Sequence, residues 1–121
     1  MAETARSFQD LIVWQKAHEM VLEVYRATRH FPKEEVYGLT SQVRRAAVSV
    51  PSNIVEGFHR RGVADKLKFL NIAEASLEEL KYQLILAKDL DYHQSSSVPE
   101  LLDSTGRLLG AYTRKIRDSL T

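Results

Sequence analysis

Four stretches of this sequence repeat apolar residues at steps of three and four, a spacing that gathers them on one face only if the chain is α-helical. The first carries Trp14, Ala17, Val21, Val24 and Thr28, flanked by Met20 and Tyr25. Ser7 and Asp10 resemble a capping box ahead of it, and Phe31-Pro32 ends it, because a residue before proline avoids the α region. The second carries Leu39, Val43, Ala47, Val50, Ile54 and Phe58, which stay in phase across Pro51. That continuity predicts one helix kinked at Pro51 rather than two short ones, with Ser49 or Ser52 near the carbonyl that proline leaves free. Gly57 and Gly62 bracket its end.

The third stretch aligns Leu67, Leu70, Ala73, Leu77, Leu80, Leu84 and Ala87. A second set, Phe69, Ile72, Tyr82, Ile85 and Leu86, widens its apolar surface, as expected of a helix with neighbours on two sides. Ser95-Ser96-Ser97 reads as a loop, and Ser97-Val98-Pro99-Glu100 as a capping box with proline in the first turn. The fourth stretch follows with Val98, Leu101, Leu102, Thr105, Leu108, Leu109, Tyr112, Ile116 and Leu120. Helices are therefore expected over about 10–30, 38–59, 63–90 and 98–119, with Trp14, Tyr25, Tyr82 and Tyr112 in the core. Five glycines and three prolines in 121 residues leave short connections, and short connections make neighbours antiparallel. The fold class is all-α, an up-down-up-down four-helix bundle in a single domain spanning 1–121.

The chain has no cysteine, which excludes disulfides, thiolate nucleophiles and Cys-ligated metal. No export signal or apolar run of membrane-spanning length is visible, so the expected compartment is the cytoplasm and no membrane partner is implied.

Net charge is only +1, yet the charge is unevenly spread. Residues 1–39 hold five basic and six acidic side chains, 40–70 hold six and two, 71–103 hold two and seven, and 104–121 hold four and one. Antiparallel folding would bring Arg60, Arg61, Lys66, Lys68, Arg114, Lys115 and Arg117 to one end, with Glu34, Glu35, Asp89, Asp91, Glu100 and Asp103 at the other. The basic end has two readings. One is an anion site, since arginine forks suit phosphate and a helix N-terminus attracts it. The other is a solvated junction whose cations complement helix C-termini. Arg44 and Arg45 stand apart, about 24 Å along the second helix from Arg60 at 1.5 Å per residue. Beside Arg45 runs a stripe of small polar residues, Gln42, Arg45, Ser49, Ser52, Asn53 and Glu56, which suits either close approach by another subunit or a plain solvent face.

Glu56 and His59 form one Glu-x-x-His. Di-iron bundles use two copies plus two further glutamates, so a surface histidine is the favoured reading and no metal or cofactor is expected. His18, His30, His59 and His93 are scattered, and no phosphate-binding loop or hydrolase motif is present.

Three blocks carry a resemblance. They are Phe8-Gln9-Asp10-Leu11-Ile12-Val13-Trp14-Gln15-Lys16-Ala17, then Phe31 to Glu35 with Tyr37 to Gln42, then Arg44-Arg45-Ala46-Ala47-Val48-Ser49-Val50-Pro51-Ser52-Asn53-Ile54-Val55-Glu56-Gly57. With Leu77-Glu78-Glu79-Leu80, they resemble the four-helix-bundle proteins encoded in intervening sequences of bacterial 23S ribosomal RNA. His59 and Gly62-Val63-Ala64 depart from that pattern. The resemblance implies a homopentamer and a relation to the accessory variability proteins of diversity-generating retroelements, which bind nucleic acid and a reverse transcriptase. It implies no enzymatic activity.

The expectation is thus a non-enzymatic oligomer with RNA or DNA as candidate partners at Arg44, Arg45, Arg60, Arg61, Lys66, Lys68, Arg114, Lys115 and Arg117. The expected subunit interface uses Gln42, Arg45, Ser49, Ser52, Asn53, Glu56, Phe69 and Ile72. The alternatives are a metal-dependent bundle enzyme centred on Glu56 and His59, or a purely structural assembly subunit.

Overall fold

The computed structural model describes residues 5–92 and 97–119. Most of the serine loop, His93 and Leu120 lie outside the described residues. Within them are four α-helices, α1 (Ile12–Thr28), α2 (Leu39–His59), α3 (Val63–Asp89) and α4 (Val98–Asp118), and two 3₁₀ turns, Phe8–Asp10 and Lys33–Glu35. The close backbone approaches run α1 to α2, α2 to α3, α3 to α4 and α4 to α1, so the helices close a ring with α1 opposite α3. Contacts across it pair early residues of one helix with late residues of the next. Ser49 meets Ser76 while Gly57 meets Lys66, and Glu23 meets Ser97 while Ile12 shares a cleft with Tyr112. Neighbours are therefore antiparallel, and α2 and α4 point the same way.

The core is an aliphatic column to which every helix contributes. Val13, Ala17, Met20 and Val24 meet Val43, Ala47, Val50 and Ile54, with Leu70, Ala73, Leu77 and Leu80 and then Leu101, Leu102 and Leu109. The main stripes of α2, α3 and α4 follow the predicted spacing, with Phe58, Leu67, Leu108, Tyr112 and Ile116 half-buried at their edges, but Ile72, Tyr82 and Ile85 of the second apolar set on α3 are exposed, because only one side of that wider surface is covered. The face of α1 is rotated: Val13, Met20 and Ala27 are fully inside, whereas Trp14 and Val21 are half-buried at its edge. Trp14 stacks on His18 and meets Phe8 edge-on. Two expected core tyrosines are at the surface. Tyr82 is 62% exposed, on a face of α3 that turns away from both neighbours, and Tyr25 is 38% exposed. Pro51 sits inside α2, which runs through it as one helix to His59.

Both expected capping boxes are used differently. Ser7 and Asp10 do form one, but it closes the Phe8–Asp10 turn, and an extended Leu11 delays α1 to Ile12. Ser97 has helical backbone angles and no capping bond; its hydroxyl instead donates to Glu23 Oε2 at 3.0 Å. Gly57, expected to mark a helix end, is buried inside α2. A Cβ there would lie 3.3 Å from the Lys66 carbonyl, so glycine permits the tight approach of α3.

The C-terminus of α3 winds into a Schellman arrangement. Tyr92 N–H reaches the Ala87 carbonyl at 2.9 Å and Asp91 N–H the Lys88 carbonyl at 3.0 Å, with Asp91 in the left-handed region at φ 62°. That reversal delivers Tyr92 onto Phe31, with ring centroids 5.4 Å apart, and its hydroxyl donates to Glu35 Oε2 at 2.6 Å. Glu35 Oε1 accepts the Leu39 N–H at 3.1 Å, capping the start of α2. The Tyr92 hydroxyl first, and the Leu39 amide second, hold the Glu35 carboxyl below the ordinary carboxylate range, while the same carboxylate raises the Tyr92 phenol.

Two outcomes follow from these placements. The Thr105 hydroxyl is completely buried and has no hydrogen-bond partner among the described residues. Thr105→Val, which keeps the shape and removes the unpaired oxygen, should raise stability by about 1 kcal/mol in urea denaturation. The depressed Glu35 adds stability that is complete above the ordinary carboxylate pKa and is lost as pH falls through the lower folded value. Tyr92→Phe should therefore destabilise most at neutral pH, with the gap to wild type narrowing in acid below about pH 4. A gap that stays constant across that range contradicts the linkage.

Candidate nucleic-acid interface

Because α2 and α4 both oppose α3, the ends of α2 and α4 and the start of α3 share one end of the bundle. Arg60, with extended backbone angles, closes α2, and Arg61 and Gly62 lead into α3. Lys68 follows one turn later, and Arg114, Lys115 and Arg117 project from the last turns of α4. All six cations are exposed. Phe69 organises two of them: the Arg60 guanidinium lies 4.7 Å and the Lys68 ammonium 5.7 Å from its ring centre. Arg60 also reaches Glu56 at 3.4 Å. Arg61, Lys68, Arg114, Lys115 and Arg117 make no ion pair among the described residues.

Lys66 behaves differently. It is half-buried, and its ammonium donates to the carbonyls of Gly57 at 3.2 Å and Phe58 at 2.9 Å, covering acceptors that the end of α2 leaves unmatched. Burial pushes its pKa down. Arg44 does the same for α1 at the opposite end. Its Nε donates to Thr28 Oγ1 at 2.8 Å and its Nη2 to the Tyr25 carbonyl at 3.3 Å, with the guanidinium 4.6 Å above the Tyr25 ring. Thr28 in turn donates to the Val24 carbonyl at 2.8 Å. These two cations close helices, while Arg45, the sequence neighbour of Arg44, is exposed.

The small polar stripe lies along the seam between α2 and α3. Ser49 and Ser76 share a hydrogen bond at 2.7 Å, and the Asn53 amide donates to the Ser49 carbonyl at 2.8 Å and hydroxyl at 3.0 Å. Ser49 and Asn53 thus spend their polar groups within the chain. Gln42, Arg45, Ser52 and Glu56 remain exposed along the seam, as does Ile72 on α3, while Phe69 is half-buried beneath its cations. Ser76, Glu79 and Gln83, which no apolar spacing on α3 marks, complete a shallow groove with Gln42, Arg45 and Ser49. Gln83 is 6% exposed; its Nε2 donates to Glu79 at 3.3 Å, but its Oε1 has no partner among the described residues. A glutamine beside Leu84 in an apolar run was the available signal.

Glu56 and His59 are both exposed, and Glu56 faces Arg60. Among the described residues no group of three or more His, Asp or Glu side chains is placed to hold a metal ion. No helix there is long and apolar enough to cross a membrane.

A family model described as 23S rRNA-intervening sequence protein matches residues 9–112. The match takes in α1, α2 and α3 and most of α4, and stops short of Arg114, Lys115 and Arg117. No curated protein matches the chain.

Helix closure by Arg44 has its own measurable consequence. Arg44→Ala should cost about 1–2 kcal/mol in denaturant unfolding, because the charged donor leaves the end of α1 bare. Arg44→Lys should recover only part of that loss, since one ammonium cannot reproduce the fork.

Proposed function

The chain belongs to the 23S rRNA-intervening sequence protein family, and from that premise we propose that it is a non-enzymatic homo-oligomer, a pentamer, that binds RNA or DNA through its basic end. The observation that carries the reading is the set of exposed cations Arg61, Lys68, Arg114, Lys115 and Arg117, none in an ion pair among the described residues, gathered at one end of a chain whose net charge is only +1. Charge of one sign on one face attracts a polyanion whatever the total charge is.

Assembly supplies strength. Each subunit offers few phosphate contacts, and arranging several subunits around an axis turns the basic ends into a ring. One strand that meets several subunits then binds far more tightly than any single contact would allow. The seam between α2 and α3 is the candidate subunit contact. It combines exposed Gln42, Arg45 and Ile72 with the Gln83 oxygen, a buried acceptor that has no partner among the described residues and that a donor from a neighbour would satisfy. A cytoplasmic site of action goes with this reading.

Native mass spectrometry at micromolar concentration should give five times the subunit mass. Fluorescence anisotropy with a labelled oligonucleotide should show affinity falling steeply with salt. Arg61→Ala, Arg114→Ala and Arg117→Ala combined should weaken binding at least about tenfold and flatten the salt slope. A monomer would overturn the assembly half of the proposal. Binding indifferent to salt and to these substitutions would overturn the other half, and an intact oligomer with no affinity would leave a structural subunit.

A further inference from the structure

The basic end holds a feature that cation counting does not explain. Between the Phe8–Asp10 turn and the last turns of α4 lies a cleft of about 980 Å³, within the range of about 300–1,000 Å³ typical of small-ligand sites. Its lining joins two kinds of chemistry. Ile12, Leu108 and the ring of Tyr112 supply apolar surface, and Ile12, at 67% exposed, is open to a ligand. Arg6 and Lys115 supply positive charge, and neither makes an ion pair among the described residues. Asp10 also lines the cleft and keeps its negative charge; its Oδ2 accepts the Arg6 N–H at 2.9 Å and the Ser7 N–H at 3.2 Å, which ties that carboxylate to the turn, so a phosphate is assigned to the Arg6 and Lys115 side.

We infer that this cleft takes one unstacked nucleotide of a single strand, the base against Ile12, Leu108 and Tyr112 and the phosphate on Arg6 and Lys115, so that the protein prefers single-stranded to duplex nucleic acid. The inference rests on the basic-end reading and adds selectivity to it. A duplex offers the same phosphates, but its bases are stacked and paired and cannot enter a cleft between helices. A single strand can turn a base out at little cost and recover it by contact with apolar and aromatic surface. Arg6 and Lys115 both lie outside the span matched by the family model.

The test compares a labelled oligothymidylate with the same strand paired to oligodeoxyadenylate, by anisotropy at fixed salt. Wild type should bind the single strand at least about tenfold more tightly, and Ile12→Asp, at an exposed position, should abolish that preference, weakening single-strand binding far more than the modest loss its added charge causes for the duplex. Arg6→Ala should reduce it in part. Thermal melting of both variants checks that the fold is intact. Equal affinity for the two forms, or a preference that survives Ile12→Asp, overturns the cleft assignment and leaves the basic end standing. Failure to bind either form overturns both. Displacement of the strand by polyglutamate at equal charge concentration overturns the nucleotide assignment in favour of an acidic protein segment.

Discussion

The close, antiparallel contact between α2 and α3 is the constraint on which the rest of this structure depends. It is made by small side chains: Gly57 under the Lys66 carbonyl and the Leu70 side chain, Ser49 against Ser76, and buried Ala46, Ala47 and Ala73. Small residues let two helices approach closely enough for dispersion contacts to accumulate along their length. That approach also puts Lys66 within reach of the last carbonyls of α2 and Phe69 beneath Arg60 and Lys68. A methyl group at position 57 would press on the first turn of α3 and disturb all of these together.

Cations serve two purposes in this molecule, and the difference is one of solvation. Arg44 and Lys66 are half-buried and satisfy carbonyls that a helix end would otherwise expose. Arg61, Lys68, Arg114, Lys115 and Arg117 remain in solvent, where their charge stays available to an external anion. At the opposite end, where Arg44 closes α1, an acid closes the start of α2. Glu35 caps α2 and accepts from Tyr92, so a carboxylate there plays the part that lysine plays at the basic end. Helix N-termini favour negative groups and C-termini positive ones, and the connections follow that rule at both ends of α2.

Much of the fold was legible because burial leaves a periodic trace. In α2, α3 and α4 the residues that recur every three or four positions are those that lie inside. The trace was weaker in α1, where Trp14 and Val13 are adjacent and both apolar, so spacing alone favoured the larger one. Tyr82 and Tyr25 were misplaced for a related reason: an amphipathic side chain is compatible with inside or edge, and only the position of a neighbouring helix decides. The capping boxes were recognisable as motifs. What Ser97 would do was not, because its partner Glu23 lies 74 residues away in the chain.

For the candidate site, the helix identities, the uneven distribution of charge and the small polar stripe of α2 can be read along the chain, since each follows from composition within a single helix. Which cations stay in solvent and which close helix ends, which residues of α3 complete the seam, and the meeting of Arg6 and Lys115 at one cleft emerge on folding. Those outcomes depend on distances between segments remote in the chain. Such distances are set by packing and register, and no local pattern of residues encodes them.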